Sequence, residues 1–210
     1  MKTIINDSCM ENDLDTGQQK KKLKKSFKKY IDNNYICFSV DIEQKFNEKE
    51  KKWKKEIKWS KWKDISLETT SINDKYNGIA LLTGKKNNFL VVDIDNVDNW
   101  NKLLEDNERE EPKTIKVNSG NGGIHLYFKY DEDLNFSGTD IFNEEYQGID
   151  IRSDGGCIIT SHTTYYNKNL NKVVSYEWDN KKNIFNSEML DVPKWLKKII
   201  LKNKNKKEEK

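Results

Sequence analysis

The sequence predicts a mixed α/β fold of the α+β kind, because short strand-like runs alternate along the chain with segments of helical periodicity. Charged residues make up 35% of the chain and hydrophobic residues only 34%, yet eight Phe, nine Tyr and six Trp supply enough bulk for a globular interior. A length of 210 residues leaves room for one domain or for two closely packed lobes. These observations indicate a soluble, folded protein.

The first half of the chain predicts two helices and three strands. The helical spacing of Leu23, Phe27 and Tyr30 indicates a helix over residues 18–32, and Asn96 is placed to cap a second helix that ends near residue 107. Apolar and aromatic content indicates strands at residues 35–40, 78–82 and 89–95. The turn at residues 83–88 predicts that the last two strands form a hairpin, whereas the Lys-rich residues 43–63 are ambiguous.

The second half predicts five more strands and a final helix. The strands are expected at residues 114–117, 124–130, 149–152, 157–160 and 173–178, and the helix at residues 192–201. Residues 1–16 and the basic tail 202–210 are expected to be disordered. The folded part is therefore expected to be residues 17–201, as a single domain.

Several classes of protein are excluded by what the chain lacks. No apolar run approaches the roughly 20 residues that span a bilayer, and residues 1–17 lack the apolar stretch of a signal peptide. Cys9, Cys37 and Cys157 are too few and too widely spaced for a disulfide framework or a cysteine-based zinc module. An intracellular setting without membrane contact is expected. No nucleoside-triphosphatase motif of the Walker type is present, so any helicase partner would be a separate domain or chain.

Positive charge is concentrated near the N-terminus. Residues 17–63 hold 16 Lys against 6 acidic residues, interleaved with aromatic side chains. Such a segment could contact phosphates and stack on bases. The alternative is that these lysines form only the solvated outer face of a helix and its neighbours.

Two carboxylates end a strongly apolar run. Asp93 and Asp95 follow residues 89–92 and, because side chains alternate along a strand, share one face about 7 Å apart. Two carboxylates so placed can hold a hard divalent cation. The alternative is a strand end at which Asp95 helps Asn96 to cap the next helix.

Two later segments add polar residues to strand faces. In the segment 119–128, a glycine-rich turn opens into a strand on which His125 and Tyr127 share the face opposite Leu126. In the segment 148–159, Asp150 and Arg152 share the face opposite the isoleucines. A tight hairpin with a surface histidine and a surface ion pair are the alternative interpretations of these two segments.

The three segments together closely resemble the primase-polymerase domain of the archaeo-eukaryotic primase superfamily, of the bifunctional kind found in plasmid and viral replication proteins. The resemblance runs from about residue 77 to residue 163. It implies a two-lobed fold in which an N-terminal α/β portion packs on a sheet like that of an RNA-recognition module, with the active site between them. The Asn- and Lys-rich composition also makes a viral, phage or plasmid source plausible.

The resemblance also implies roles for individual residues. Asp93, Asp95 and Asp150 would be the catalytic ligands of two divalent ions, Mg²⁺ or Mn²⁺. The triphosphate of the incoming nucleotide would be contacted by a second set of residues: His125, Arg152, Ser119, Gly122, Gly123 and Lys85.

Some positions depart from the pattern of the superfamily. Many members carry a serine two residues before the motif histidine, where this chain has Gly123, so that role could pass to Ser119 or to the backbone. Where relatives often show prolines, this chain has His162, which is either a second phosphate contact or a histidine in a solvent-facing loop. The missing cysteine module leaves the initiation of primers less well supported than their extension.

The leading functional hypothesis is a metal-dependent nucleotidyltransferase that copies a single-stranded DNA template from nucleoside triphosphates, as a primase, a polymerase or both. A non-catalytic nucleic-acid-binding module that uses the basic, aromatic N-terminal third is one alternative. A metal-dependent nuclease or phosphodiesterase is another, because carboxylate sites with two metals also serve hydrolysis.

Overall fold

The computed structural model describes residues 16–59, 62–142 and 144–208, and the side chains of residues 17–59, 62–142 and 145–205. The described chain forms three α-helices and eleven strands, and its sheets are antiparallel. This is a mixed α/β fold of the α+β kind, as predicted. Residues 1–15, most of the stretch predicted to be disordered, lie outside the described residues, and Thr16 begins the first helix.

The helices are α1 (Thr16–Asp32), α2 (Val97–Asp106) and α3 (Lys194–Glu208). The strands of the first half are β1 (Cys37–Asn47), β2 (Lys52–Trp59), β3 (Gly78–Leu82) and β4 (Phe89–Ile94). Those of the second half are β5 (Ile115–Asn118), β6 (Ile124–Lys129), β7 (Ile149–Arg152), β8 (Cys157–Ile159), β9 (Thr164–Asn167), β10 (Lys172–Ser175) and β11 (Glu177–Trp178). A four-stranded sheet has the order β2-β1-β3-β8, a five-stranded sheet has the order β11-β5-β6-β4-β7, and β9 pairs with β10.

The five-stranded sheet separates two hydrophobic cores. Because side chains alternate along a strand, Leu90 and Val92 of β4 face one core and Val91 faces the other. The first core is completed by α2 and α3, through residues such as Trp100 and Leu196. The second is completed by α1 and the four-stranded sheet. The polar residues of the candidate site lie on the side of the five-stranded sheet that faces this second core.

The burial pattern of α1 and the N-terminal cap of α2 agree with the sequence predictions for these two helices. In α1, Leu23, Phe27 and Tyr30 are buried while the surrounding lysines point outward. At the start of α2 the side chain of Asn96 accepts a hydrogen bond from the amide of Asn99, as the capping prediction required. Both helices are therefore confirmed, with ends within two residues of the predicted ones.

The predicted hairpin of residues 78–95 is wrong. Strands β3 and β4 belong to different sheets, and the only bridge between their ends in the described chain joins Gly84 to Phe89. Both strands are almost wholly buried, so each needs a partner on both edges and a layer on both faces. The turn at residues 83–88 therefore carries the chain from one sheet to the other.

Three further segments differ from the predictions. Of the ambiguous residues 43–63, residues 43–47 continue β1 and residues 52–59 form β2. The single strand predicted at residues 173–178 is two strands, because β10 pairs with β9 while β11 pairs with β5. Strand β9 was not predicted.

The last helix is longer than its sequence pattern indicated. Helix α3 continues to Glu208, so residues 202–208, which were expected to be disordered, are helical. Its apolar positions end near Leu201, which is why the pattern stopped there. Among the described helices, none has the length and apolar content needed to cross a membrane. The division into two lobes, with a sheet like that of an RNA-recognition module, stays a prediction.

Candidate active site

Three polar side chains form a row across the five-stranded sheet. Strand β4 lies between β6 and β7, and Asp93 is directly opposite His125 on one side and Asp150 on the other. Residues that face each other across an antiparallel pair carry their side chains on the same face, about 5 Å apart. The register therefore brings together three segments that are distant in sequence.

The row lies on the face that looks toward the four-stranded sheet. On β4, Phe89 and Val91 precede Asp93 on this face and belong to the core shared with that sheet. On β7, the isoleucines face the opposite core, which leaves Asp150 and Arg152 on the side of Asp93. The alternation seen in the sequence is confirmed by this arrangement.

Arg152 joins the two carboxylates of the row. Its Nη2 donates to Oδ2 of Asp150 at 2.5 Å, and its Nε donates to Oδ2 of Asp93 at 3.3 Å. On the other side of Asp93, Nε2 of His125 lies 3.3 Å from Oδ1. Asp150 also accepts from the amide of Asp140 at 2.8 Å. Asp93 and Asp150 are thus held in fixed positions by partners on three sides.

Burial and neighbouring charges shift two pKa values in the row. Burial raises the pKa of Asp150, and the negative charges of Asp93 and Asp95 add to the rise, while the Asp140 amide and Arg152 oppose it. Burial lowers the pKa of His125 despite the attraction of Asp93, so the imidazole is neutral near pH 7. With His125 neutral, Arg152 is the cation that contacts Asp93 and Asp150.

Asp95 differs from the other two carboxylates. It follows the last residue of β4, where its amide donates to the carbonyl of Gly148 at 2.8 Å, and the residue is exposed. Within the described part of the chain its carboxylate makes no ion pair. Asp95 is therefore the acidic side chain of this face that is most available to a ligand.

A cavity of about 410 Å³ opens in front of Asp93 and His125, between the two larger sheets, and Asp150 is not among the residues that line it. Asp93, Asp95, His125 and Arg152 line one wall, and residues of β2 line the wall opposite. The β2 residues are Lys55, Ile57 and Trp59, and the remaining lining comes mainly from β8, the two glycines before it and Trp62: Trp62, Gly155, Gly156, Cys157, Ile158 and Ile159. A polar ligand in this cavity would contact both sheets.

Sequence reasoning missed Lys55 and Tyr176 as members of this site. The Lys55 ammonium donates to the Tyr176 hydroxyl at 2.9 Å, and the Tyr176 ring lies 5.6 Å from the His125 ring. Burial alone would lower the pKa of Lys55, but Tyr176 and Asp95 outweigh that effect and the pKa is raised. Among 16 lysines of one segment, nothing in the sequence distinguishes the one that faces the acids.

The glycine-rich turn lies beside Asp95 and outside the described lining of the cavity. A Cβ on Gly123 would stand 2.6 Å from the Ile94 carbonyl oxygen, so only glycine allows the turn to approach the end of β4 this closely. The Gly122 amide donates to the Ser119 carbonyl, and the Ser119 amide donates to the Gly123 carbonyl. These hydrogen bonds hold the turn together, and the close approach of Gly123 places the turn against the end of β4, next to Asp95.

Lys85 borders a neighbouring cavity of about 440 Å³. Its amide donates to Oδ1 of Asp154 at 2.7 Å, in the turn that leads from β3 to β4. The two cavities share Trp62, Gly155 and Gly156 as lining residues. The structure therefore places Lys85 next to the candidate site and not in the row itself.

The donor set fits hard divalent cations in its chemistry, since three carboxylates face one region and cations of this type prefer oxygen ligands. Their arrangement is different from a formed metal centre, because Arg152 pairs with Asp93 and Asp150. No group of three or more His, Cys, Asp or Glu side chains is arranged to hold a metal ion among the residues that the structure describes. The positive charge that contacts Asp93 and Asp150 in this structure is that of Arg152, and Lys55 faces the site from the opposite wall.

Comparison with known proteins identifies the family. A search of curated proteins finds no match. A family model described as "Bifunctional DNA primase/polymerase, N-terminal" matches residues 30–195, which include every residue of the row and its cavity. At the level of the family, the activity is that of a primase/polymerase nucleotidyltransferase. Since the match extends over more than half of the sequence, the chain belongs to the family of bifunctional DNA primase/polymerase N-terminal domains.

Proposed function

We propose that this protein is a DNA-template-directed nucleotidyltransferase that acts as a primase, a polymerase or both in DNA replication. The observation that carries the proposal is the row of His125, Asp93 and Asp150 across three strands, with Asp95 beside it and a cavity in front. Phosphoryl transfer depends mainly on positioning and on neutralisation of charge. A rigid sheet that holds carboxylates, a histidine and an arginine on one face suits both needs.

In this proposal Asp93, Asp95 and Asp150 are the ligands of two divalent ions, Mg²⁺ or Mn²⁺. The excess of negative charge around Asp150 and the free carboxylate of Asp95 support this assignment. When bound, such ions would activate the attacking 3′-hydroxyl and stabilise the leaving pyrophosphate. Arg152, which now pairs with two of the acids, would then be released toward the triphosphate.

The phosphates of the nucleotide would meet cationic and neutral donors from both walls of the cavity. His125 is neutral and buried at the cavity wall, and Lys55 projects from the opposite sheet. Four further residues are proposed as outer contacts of the phosphates, because they lie near the site but do not line its cavity: Ser119, Gly122, Gly123 and Lys85. The two sheets on either side of the cavity would correspond to the two expected lobes.

The proposed partners are a single-stranded DNA template, nucleoside triphosphates and, in a larger assembly, a helicase domain or chain. We also propose an intracellular setting of viral or plasmid origin. Cys37 and Cys157, the cysteines within the described residues, are free thiols, as is usual in a reducing compartment.

The test is an extension assay on a single-stranded template with and without a primer, with each nucleotide set and with Mg²⁺ or Mn²⁺. The wild-type protein should elongate the primer, and Asp93→Ala combined with Asp95→Ala should reduce elongation by a factor of at least about 10³. The matched control is Asp98→Ala with Glu105→Ala, which removes two exposed acids from α2.

The other outcomes of this assay would each change the functional conclusion. Elongation that survives the double aspartate change would contradict the proposal. Shortened strands would indicate a nuclease, and template binding without any product would indicate a binding module. Product from unprimed template would establish that the site starts chains as well as extending them.

A further inference from the structure

A second cavity, of about 510 Å³, lies on the other side of Tyr176 from the candidate active site. Helix α1 forms one wall and the β9–β10 hairpin forms another. The residues that matter for its chemistry are Lys22 of α1, Ser161 and His162, and the ring of Trp178. Because Tyr176 lines both cavities, a ligand that extends across this side chain could occupy both.

His162 is held in a defined orientation at this cavity. Nδ1 of its ring lies 3.0 Å from Oγ of the buried Ser161, which in turn contacts the hydroxyl of the buried Tyr30 at 3.3 Å. The His162 backbone has φ of 68°, a left-handed conformation that is uncommon for any residue but glycine. The ring is partly accessible, in the turn between β8 and β9. With Nδ1 occupied, Nε2 is the nitrogen available to a ligand.

The charges around His162 favour an anion. Lys22 and Lys29 lie close enough to influence the imidazole, and Glu177 is the carboxylate that opposes them. Glu177 is exposed and accepts a hydrogen bond from Oγ of Ser175. Lys22 has no ion-pair partner among the described residues, in contrast to Lys28, which pairs with Asp32. The ammonium of Lys22 is therefore free to meet a phosphate.

We propose that this cavity binds a phosphodiester group of a single-stranded nucleic acid, through Lys22 and His162. Apolar surface from Trp178 and the two valines of β10 would pack against the adjoining sugar or base. The site is separate from the row of acids and is non-catalytic. The phosphate contact is inferred from the cavity and from Lys22 and His162, without reference to the proposed function. Only the identification of the strand as template or primer rests on the proposed function.

The test measures binding of a 5′-fluorescein-labelled oligodeoxynucleotide by fluorescence anisotropy, in EDTA and over a range of salt concentrations. Lys22→Gln should weaken binding roughly threefold to tenfold at low salt and reduce the slope of log K against log salt by about 0.7, the value for one phosphate of a single strand. His162→Asn should weaken binding and leave the slope unchanged, because the ring is neutral. Asparagine tolerates the left-handed backbone at this position.

Lys28→Gln is the matched control, since it makes the same charge change on the same helix, with the side chain about 120° away from Lys22 around the axis. It should bind with the wild-type slope. Wild-type affinity and slope in both Lys22→Gln and His162→Asn would overturn the proposal.

A second arm separates a strand from a free phosphate. Inorganic phosphate or dATP, added at constant ionic strength, should displace the oligonucleotide only weakly, and complete displacement at about millimolar concentration would also overturn the proposal. Primer extension by the same variants separates this inference from the proposed function. A wild-type protein that binds with the expected slope but extends nothing would contradict only the proposed function.

Discussion

At the scale of single residues, the site depends on which side chains share one face of a sheet. Asp93 and Asp95 were recognisable from their spacing, and Asp150 and Arg152 from their alternation with isoleucines. What the spacing could not reveal is that Arg152 bridges Asp93 and Asp150, because that contact depends on the register of two strands separated by more than 50 residues. Arg152 therefore stabilises a pair of acids that would otherwise repel each other.

We expect Arg152→Gln to lower the free energy of unfolding by about 1–3 kcal/mol in EDTA, because it leaves two partly buried carboxylates without their shared cation. Urea unfolding followed by circular dichroism measures this. Arg109→Gln, at the other arginine of the chain, should change the same quantity by less than about 0.5 kcal/mol because Arg109 is exposed.

The melting temperature in the presence of a divalent ion provides a second measurement of the role of Arg152. Mn²⁺ should raise the melting temperature of Arg152→Gln by more than that of the wild type, because the ion no longer competes with the guanidinium for Asp93 and Asp150. Equal stability of Arg152→Gln and wild type in EDTA would show that the bridge contributes nothing to the fold.

At the scale of elements, local patterns located most helices and strands but not their pairing. The buried runs that became β3 and β4 were correctly found, yet a short polar turn between them was interpreted as a hairpin when it connects two sheets. Strand β2 could not be assigned because lysines occur on both of its faces, and Lys55 interrupts the face that carries its tryptophans and Ile57. Its inward face, with Lys55, Ile57 and Trp59, was therefore missed as a wall of the site.

The two faces of β2 give a matched pair of substitutions. Lys55→Met should reduce kcat/KM for the nucleoside triphosphate roughly tenfold to hundredfold, because Lys55 faces the acids and the proposed position of the triphosphate. Lys54→Met, one residue away on the exposed face where Lys54 pairs with Glu50, should leave kcat/KM within about twofold. Steady-state primer extension at varied nucleotide concentration provides the comparison. Equal losses in the two variants would exclude a specific role for Lys55.

At the scale of the whole molecule, two sheets share one core and enclose the site between them. Strands β4, β6 and β7 of the five-stranded sheet position the acids, the histidine and the arginine, and β2 of the four-stranded sheet supplies Lys55 and Trp59 on the opposite wall. The family could be recognised from three short segments because each carries its polar residues at a spacing of two. The opposite wall and the second cavity could not be predicted, because they depend on how distant elements pack around Tyr176.

The carboxylates beside β4 are proposed to support metal-dependent nucleotidyl transfer. The most direct measurement is pyrophosphate release on a primed single-stranded template, with Mg²⁺ or Mn²⁺, by the wild type, Asp95→Asn and Asp98→Asn. Asp95 and Asp98 are both exposed acids, and of these two only Asp95 lines the cavity. We predict metal-dependent release by the wild type and Asp98→Asn, and a loss of at least about 10²-fold in Asp95→Asn. Release that is independent of metal, or equal in the two variants, would contradict the claim.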